Sequence, residues 1–332
     1  MDKWKEIDDK VFNYKINELA EKLAKKYGYS SYIVERYLML LGKEETIELL
    51  QANEASLPET IRCNDFLIKC NKLEKRLKEK GFKIGKIPFL PHGYEIIKSP
   101  YKPGATHEYL MGYYYIQDPG SMLITYLLNP RKNEIIVDMA AAPGGKSSQI
   151  LQLTNDNVRL IAVELKSNRV KSLRSNLQRM GFSSYLILET DARKLNLKDI
   201  DRVLLDSPSS GEGIIRKDPR RKTSRPRGDM KKIHRLQLNL LNKGLDLLKN
   251  GGEMIYAACS TAIEEGEYVI NKILHERSNV DIVKVNSPIG SNAFIEFNGV
   301  KFDDRISSCL RLWPHRDGTE GFFICKLKKL QD

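Results

Sequence analysis

The segment Met139–Ser147 constrains the fold of this chain most, because it joins a strand pattern to a helix pattern through a glycine pair. The apolar run Ile135–Val137 ends in Asp138, as a buried strand does where it enters a turn. Gly144 and Gly145 allow the backbone and a ligand to approach closely, and a following helix directs free N–H groups at an anion. The order of strand, turn and helix therefore predicts a site for a carboxylate or a phosphate.

Two nucleotide-binding patterns compete for this turn. The phosphate-loop pattern requires a glycine where the chain has Ala140, and the dinucleotide pattern G-x-G-x-x-G is absent. A second apolar run, Leu160–Val163, ends in Glu164, whose carboxylate can accept hydrogen bonds from both hydroxyls of a ribose. These features favour an adenosine-containing ligand. The alternative is a turn that only packs a helix against a strand.

Apolar runs alternate with helical patterns from about Tyr113 onward. Strands are predicted at 135–138, 160–164, 185–189, 202–205, 253–258 and 321–326. Such alternation predicts a mostly parallel, doubly wound α/β sheet that binds ligands at the carboxyl ends of its strands.

The residues before this region predict two smaller parts. A charged helical pattern covers about residues 3–50, and the segments that follow read as strand, helix and strand, at 61–67, 73–80 and 82–87. We therefore expect three domains: a helical segment at 1–52, a small α/β module at 53–110 and a Rossmann-like domain at 111–332.

The chain is basic, with 55 Lys and Arg residues against 43 Asp and Glu, a net charge of +12 and a pI near 9.3. This charge favours a polyanionic partner, so nucleic acid is the first expectation. Ten of the basic residues lie in the segment 216–235, where Pro219 and Pro226 predict a loop before a helical pattern from Ile233. Such a basic loop predicts a surface that contacts nucleic-acid phosphates, and the alternative is a solvated face.

The five cysteines form no C-x-x-C pair, so neither a disulfide framework nor a zinc site is predicted. Cys63, Cys70 and Cys325 stand in apolar or strand-like runs and are interpreted as separate core thiols. The charged start of the sequence does not match a secretion signal, and no apolar run has the length of a membrane span. We expect a cytoplasmic monomer without a metal.

The fourth and fifth predicted strands of the sheet lead into polar turns that begin with Asp206 and Cys259. A helix is predicted to begin just after Ser260 or Thr261, and a helix N-terminus favours the nucleophilic thiolate. The position of Cys259 therefore predicts a catalytic nucleophile. The alternative is an inert buried thiol.

In these motifs the sequence resembles the Nop/Sun family of S-adenosylmethionine-dependent RNA (cytosine-C5) methyltransferases. The likeness covers most of the chain beyond about residue 50 and is carried by the segments 61–64, 117–121, 138–146, 259–265 and 311–323. It implies a Rossmann-like methyltransferase domain preceded by a small RNA-recognition-like module. It also implies S-adenosylmethionine as the cofactor and RNA as the substrate.

The resemblance implies roles for individual residues. The methionine end of the cofactor would be held by Ala140, Ala141, Ala142, Pro143, Gly144, Gly145 and Lys146. The rest of the cofactor pocket would be formed by Glu164 at the ribose, Asp191 at the adenine, Arg169, and Asp206 beside the transferable methyl group and the cytosine ring. RNA phosphates would be contacted by Arg216 and Lys217 together with the neighbouring Arg220, Arg221 and Lys222.

The implied reaction uses Cys259 as the nucleophile, because C5 of cytosine becomes reactive only after an addition at C6. The base must leave its stack, so the RNA would be single-stranded or have the base flipped out. The family usually has a second cysteine, to which product release is attributed, where this chain has Ser209. A serine is a far weaker acid than a thiol, and three explanations stay open: a trapping mutation, release through another base, or lost turnover.

The RNA target and the alternative functions depend on weaker features. Segment 104–114 resembles tRNA-acting archaeal members of the family, so tRNA is favoured over ribosomal RNA. One alternative, motivated by Ser209, is a non-catalytic RNA-binding protein that retains the fold. The other is a nucleic-acid methyltransferase of exocyclic amines, because 206–209 faintly resembles the motif of that class but lacks its aromatic residue.

Overall fold

The computed structural model describes residues 3–331, and the chain divides into two compact units. The first unit comprises Met1–Leu57, Ser207–Asn242 and Tyr256–Lys328, and the second comprises Pro58–Asp206, Lys243–Ile255 and Lys329–Asp332. Residues 1, 2 and 332, which the predicted outer domains include, lie outside the described residues. The predicted domain boundaries at 52/53 and 110/111 stay predictions.

Three helices open the first unit: α1 (Lys3–Phe12), α2 (Glu18–Tyr27) and α3 (Ser31–Ala52). Helix α2 shows why the sequence is helical here. The Asn17 side chain accepts a hydrogen bond from the Ala20 N–H at 2.8 Å, and the helix ends at Gly28, whose φ of 73° is left-handed. Its buried side carries Ala20, Leu23 and Ala24, so it is an amphipathic helix packed within this unit.

A small module opens the second unit: β1 (Thr60–Cys63), α4 (Cys70–Glu79), β2 (Lys83–Lys86), β3 (Gly93–Lys98), α5 (His107–Leu110) and β4 (Tyr114–Ile116). Its four strands form an antiparallel sheet in the order β2-β3-β1-β4, so the module follows a β-α-β-β-α-β plan. Strand β1 is shorter than predicted. It ends before Asn64, whose side-chain amide donates to the carbonyls of Gly112 at 2.9 Å and Met180 at 3.0 Å.

The second unit continues with the elements α6 (Pro119–Leu128), β5 (Ile135–Asp138), α7 (Gly145–Leu153), β6 (Arg159–Glu164), α8 (Ser167–Arg179), β7 (Tyr185–Glu189) and β8 (Ile200–Ser207). The strands are parallel in the order β8-β5-β6-β7, with Val137 in register with Ile161 on one side and Val203 on the other. These strands follow the predicted apolar runs closely. The predicted α/β class with a Rossmann-like sheet is confirmed.

The rest of the chain contains α9 (Asp229–Leu247), β9 (Leu248–Ala258), α10 (Glu267–Glu276), β10 (Val280–Ile282), β11 (Ser291–Asn292), β12 (Glu296–Phe297), β13 (Val300–Lys301), β14 (Leu310–Leu312), α11 (Pro314–Asp317) and β15 (Phe322–Lys329). The boundary between the units falls within α9 and β9. In the first unit, β14 pairs antiparallel with β11 and with β15, and Leu310 lies opposite Ile324. The residues just before β15, which include Glu320 and Gly321, therefore belong to the first unit.

The interpretation of Cys63, Cys70 and Cys325 as separate core thiols is wrong, and so is the expectation that the chain has no disulfide framework. Cys63 and Cys70 form a disulfide, because the end of β1 and the start of α4 lie side by side. Cys309 and Cys325 form a second disulfide, because the pairing of β14 with β15 places them opposite each other. Cys259 takes part in neither of these disulfides, and it is partly exposed.

Two further kinds of structural feature are absent from residues 3–331. None of the helices there has both the length and the apolar character that crossing a membrane requires. In the same residues, no group of three or more His, Cys, Asp or Glu side chains is placed to hold a metal ion.

Candidate active site

The glycine turn after β5 is shaped by close packing within the second unit. Gly144 has a φ of 105°, which side chains rarely adopt, and a methyl group there would lie 3.2 Å from Leu173 Cδ1. A methyl group on Gly145, the first residue of α7, would lie 3.1 Å from Tyr115 Cε1. The two glycines therefore let the turn pass close to its protein neighbours, and the predicted approach of a ligand stays a prediction.

Asp138 fixes the turn from the end of β5. Its carboxylate accepts hydrogen bonds from the Ser147 hydroxyl at 2.6 Å and from the Ala140 N–H at 3.4 Å. Burial raises the pKa of Asp138 to about 6, and these two hydrogen bonds oppose the rise. The strand end and the first turn of α7 are thus held together by one buried carboxyl group.

Two of the predicted site residues, Lys146 and Asp206, are brought together. The Lys146 ammonium donates to Asp206 Oδ2 at 2.7 Å and to the Ser121 hydroxyl at 2.8 Å. Lys146 is largely buried, and Asp206 retains 29% of its side-chain exposure. The ion pair therefore orients a partly accessible carboxylate at the end of β8.

Glu164, Arg169 and Ala142 also lie together. Arg169 pairs with Glu164 at 3.2 Å and donates to the Ala142 carbonyl, so it links the end of β6 to the glycine turn. The Lys166 N–H donates to Glu164 at 2.9 Å. Asp191 instead pairs with Arg193 at 2.6 Å, and this arginine holds the pKa of Asp191 below its usual range.

The donors and acceptors at these strand ends fit the cofactor that the sequence implies. Four carboxyl groups stand at or just beyond the carboxyl ends of neighbouring parallel strands: Asp206, Asp138, Glu164 and Asp191. Carboxylates accept hydrogen bonds from hydroxyl and amino groups and balance a positive charge. They fit a nucleoside that carries hydroxyls, amines and a sulfonium, and Lys146 with the start of α7 fits its carboxylate.

Arg62 supports this pocket in a way that sequence analysis missed. It is fully buried in β1 and donates to the Gly145 carbonyl at 2.7 Å, to Ser148 at 2.7 Å and to Gln152 at 2.9 Å. It also donates to Gln117, and burial lowers the pKa of Arg62 to about 10. One arginine of the small module thus fixes the start of α7. The sequence offered one indication of this role, because Arg62 stands inside the apolar strand pattern 61–63.

The local structure after β9 differs from the prediction. No helix begins at Ser260 or Thr261; a short 3-10 turn at Ile263–Glu265 follows, and α10 starts at Glu267. The Ser260 hydroxyl donates to Glu265 and accepts from the Ala262 N–H at 3.1 Å, which holds this segment in a turn. The argument that a helix N-terminus activates Cys259 is therefore wrong.

The thiol of Cys259 instead faces a carboxylate. Its Sγ donates to Glu320 Oε2 at 3.8 Å, and the Lys217 ammonium pairs with Glu320 Oε1 at 2.6 Å. The Glu320 side chain retains 11% of its exposure, whereas that of Lys217 retains 46%. Glu320 was missed by sequence analysis, and the only signal was an acidic residue directly before the Gly321–Phe323 motif.

Backbone hydrogen bonds hold this cluster in place. The Gly213 N–H donates to the Cys259 carbonyl at 3.2 Å, and the Gly321 N–H donates to the Gly213 carbonyl at 2.9 Å. A methyl group on Gly213 would lie 2.0 Å from the Gly321 oxygen, so this position requires glycine. The Ser209 hydroxyl also donates to the Cys259 carbonyl, at 3.3 Å. Cys259 and Ser209 are therefore neighbours in the first unit.

Glu265 ties the turn that carries Ser209 to the turn that carries Cys259. Its buried carboxyl group accepts from the Ser210 N–H at 2.8 Å, the Ser210 hydroxyl at 2.6 Å and the Gln237 amide at 3.1 Å, as well as from Ser260. Burial, together with the nearby Glu212 charge, raises the pKa of Glu265 to about 7. This residue belongs to a matched motif, but its supporting role could not be deduced from the sequence.

We expect Glu265→Gln to remove a pH dependence of stability. The pKa of Glu265 is higher in the folded protein than the value of about 4.3 in an unfolded chain, so folding is favoured when the group is protonated. This contribution is complete below about pH 4 and is lost as the pH rises through about 7, by on the order of 3 kcal/mol. Urea unfolding at about pH 5 and about pH 8 should show the wild type losing stability relative to the variant. The exposed Glu296→Gln serves as the control, and a constant difference between wild type and Glu265→Gln would contradict the expectation.

The five basic residues predicted to bind RNA have different surroundings. Arg216 donates to the carbonyls of Ala55 at 2.9 Å and Pro314 at 3.2 Å, and Lys217 pairs with Glu320. The other three make ion pairs: Arg220 and Arg221 with Asp218, and Lys222 with Glu54. Arg220 retains 87% of its side-chain exposure and is the most accessible of those three. RNA binding by the five residues stays a prediction.

The fold and these residues define a class: an α/β protein with a Rossmann-like methyltransferase fold. Residues 125–328 match the family model described as 16S rRNA methyltransferase RsmB/F, and residues 30–119 match the N-terminal domain of 16S rRNA methyltransferase RsmF. The chain therefore belongs to the RsmB/F family of methyltransferases, and the predicted Nop/Sun membership is confirmed.

Individual relatives agree with this assignment. The chain is 35% identical over 324 residues to the 28S rRNA (cytosine-C(5))-methyltransferase of Mus musculus, covering 96% of this chain and 41% of that protein. It is 32% identical over 292 residues to the ribosomal RNA small subunit methyltransferase F of Shewanella piezotolerans, covering 85% of this chain and 60% of the relative. A crystal structure of a methyltransferase homologue from Pyrococcus horikoshii superposes with a TM-score of 0.85 at 34% identity, covering 95% of this chain and 100% of that one. The chain spans between 40% and 60% of the length of five curated relatives that it matches.

Proposed function

We propose that this protein transfers a methyl group from S-adenosylmethionine to C5 of a cytosine in RNA, through a covalent bond between Cys259 and C6. The observation that carries the proposal is the partly exposed thiol just after β9, which takes part in neither disulfide and is held against the Glu320 carboxylate. The names of relatives in Mus musculus and Homo sapiens, both cytosine-C5 methyltransferases of 28S rRNA, support the same chemistry.

The proposed cofactor site is the pocket of the second unit. The turn 140–146 would hold the methionine end, Glu164 the ribose and Asp191 the adenine amino group, with Arg169 supporting Glu164. When bound there, S-adenosylmethionine supplies an electrophilic methyl group on a positively charged sulfur. Asp206, oriented by Lys146, would provide a negative charge beside that sulfur and accept a hydrogen bond from the cytosine.

Cys259 has the task that makes cytosine reactive. A thiolate is the most nucleophilic side chain of a protein, and its addition at C6 moves electron density to C5. The ring must be unstacked for the sulfur to reach C6, so the substrate is a single-stranded or extruded base. The five basic residues between Arg216 and Lys222 would bind the flanking phosphates, with the exposed Arg220 as an accessible contact.

Two classes of RNA are candidate targets, ribosomal RNA and tRNA. Relatives are named for ribosomal RNA, including the small-subunit enzyme of Shewanella piezotolerans, whereas segment 104–114 favours tRNA. Both RNA classes, prepared without modifications, therefore belong in the assay. The predicted cytoplasmic location and monomeric state stay predictions.

The experiment that tests the function uses Ser209. The Ser209 hydroxyl donates to the Cys259 carbonyl, and a serine cannot supply the acidic thiol that normally assists release. We expect the wild type, with RNA and S-adenosylmethionine, to accumulate an RNA–protein adduct on a denaturing gel. Ser209→Cys should convert that adduct into free RNA that contains 5-methylcytosine, measured by mass spectrometry.

Ser209 also motivates a second candidate function, a non-catalytic RNA-binding protein that retains the fold. The same gel separates the two candidates. The binding protein would be favoured if both the wild type and Ser209→Cys bind RNA and S-adenosylmethionine but form neither an adduct nor 5-methylcytosine. This result would have to hold with both RNA classes. Methylated cytosine that forms without any dependence on Cys259 would contradict both.

A further inference from the structure

We infer that Glu320 is a catalytic base that takes the proton of the Cys259 thiol as the sulfur adds to C6, and returns it when the sulfur leaves. This inference rests on the proposed function. The sequence motifs do not indicate that the Cys259 thiol has a carboxylate base as its partner. The inference also changes the interpretation of Lys217, which the sequence places against RNA phosphate and the structure places on Glu320.

The first observation is the direction of the hydrogen bond. The Cys259 thiol is the donor and Glu320 Oε2 is the acceptor, which is the arrangement that a proton transfer from sulfur to oxygen requires. The separation of 3.8 Å lies within the range of hydrogen bonds made by sulfur. A base must be within hydrogen-bond reach of the proton that it removes, and Glu320 meets that condition.

The second observation is that the carboxylate is fixed. Lys217 holds Oε1 at 2.6 Å, which leaves Oε2 directed at the thiol. The ladder from Gly321 through Gly213 to the Cys259 carbonyl joins the residue after Glu320 to the nucleophile through two backbone hydrogen bonds. Because a methyl group on Gly213 would collide with the Gly321 oxygen, the close approach of these segments is built into the chain. Glu320 is therefore positioned by side-chain and backbone contacts that are independent of the RNA.

Adduct formation transfers one proton from Cys259 to Glu320. The S–H bond of Cys259 breaks, its proton moves to Glu320 Oε2, and the sulfur electron pair forms the bond to C6. The π electrons of the C5–C6 double bond move into the ring, which makes C5 nucleophilic. Once C5 carries the methyl group, the C5 proton is lost to water, and this is the step that is slow where Ser209 replaces the second cysteine. The electrons of the C5–H bond then re-form the double bond, and the sulfur departs with its electron pair and recovers the proton from Glu320. Glu320 ends as it began, so it can act in each turnover.

The test compares two reactions of the same thiol. Glu320→Gln keeps the shape of the side chain but cannot accept a proton, so adduct formation with RNA should slow by at least about a hundredfold. Alkylation of Cys259 by iodoacetamide, in the protein without RNA or cofactor, should become faster, because an ionised carboxylate disfavours a neighbouring thiolate. The other four cysteines are paired, so peptide mass spectrometry assigns the single alkylation to Cys259.

Three further variants make the result specific. Glu320→Asp retains a carboxylate and should recover part of the adduct rate. Lys217→Met removes the ion pair but leaves the base, so its adduct rate should fall less than that of Glu320→Gln. The exposed Glu296→Gln should react like the wild type in both assays.

Two results would overturn the inference while leaving the proposed function intact. One is an adduct rate in Glu320→Gln equal to that of the wild type. The other is a Glu320→Gln variant that is slower in both adduct formation and alkylation, with Lys217→Met equally slow, because Glu320 would then only shape the site. A wild type that forms neither adduct nor 5-methylcytosine with any RNA would instead remove the proposed function itself.

Discussion

Replacing Cys259 with alanine is expected to abolish both the RNA adduct and the formation of 5-methylcytosine. The thiol is the proposed nucleophile, and removing a nucleophile from a covalent mechanism typically lowers the rate by at least about a thousandfold. The side chain is partly exposed, so the free energy of unfolding should change by no more than about 1 kcal/mol. The pocket that contains Lys146, Asp206 and Glu164 belongs to the second unit and should bind S-adenosylmethionine as before.

Three measurements together check this expectation: 5-methylcytosine by mass spectrometry, the adduct by denaturing gel, and cofactor binding by calorimetry. Cys259→Ser is the matched variant, because it preserves size while its hydroxyl is a far weaker acid than a thiol. It should be as inactive as Cys259→Ala. Methyl transfer retained in either variant would contradict the covalent mechanism, whereas loss of cofactor binding would point to a structural effect.

The parts of the site that could be predicted from the sequence are those at strand ends. Asp138, Glu164 and Asp206 each follow a short apolar run, and parallel strands bring their carboxyl ends to one edge of a sheet. The glycine pair after Asp138 is equally local, because its conformation is set within a few residues. In such features, residues that are close in the sequence are also close in the structure, so their spacing in the sequence is enough to predict the site.

The parts that could not be predicted depend on residues far apart in the chain. Glu320 reaches Cys259 across 61 positions, and Arg62 reaches the start of α7 across 83 positions. No periodic pattern encodes such pairs, because they arise only when loops and strands pack. The partner of Lys217 in the basic loop could not be predicted for the same reason. The charges of the loop indicate a polyanionic ligand, but only the structure shows that Lys217 pairs with the carboxylate of Glu320.

The prediction of a helix start was wrong where a side chain forms hydrogen bonds that compete with those of the helix. The helix expected after Cys259 is delayed to Glu267, because Ser260 bonds to Glu265 and to the Ala262 N–H instead of capping a helix. The cysteine prediction failed for a different reason. The pairing of Cys309 with Cys325 depends on the register of β14 against β15, which the spacing of the two residues does not reveal.

Replacing Arg36 with methionine is expected to lower the free energy of unfolding by about 3 to 5 kcal/mol. Arg36 is fully buried in α3, pairs with Glu264 at 3.2 Å and also pairs with Glu212. Both carboxyl groups are almost completely buried, so the variant leaves two negative charges without their shared partner. Urea denaturation measures the loss, and the matched variant Arg220→Met, whose side chain is exposed, should change stability by no more than about 0.5 kcal/mol.

The cause of this loss can be separated from lost packing by a triple variant, Arg36→Met with Glu212→Gln and Glu264→Gln. If the cost comes from unpaired buried charge, neutralising both carboxylates should recover part of it. Lowering the pH should also stabilise Arg36→Met relative to the wild type, because protonation removes the same charges. Two results together would show that Arg36 acts through its packing in α3 and not through its charge. The triple variant would be no more stable than Arg36→Met, and the free energy of unfolding lost in Arg36→Met would not depend on pH.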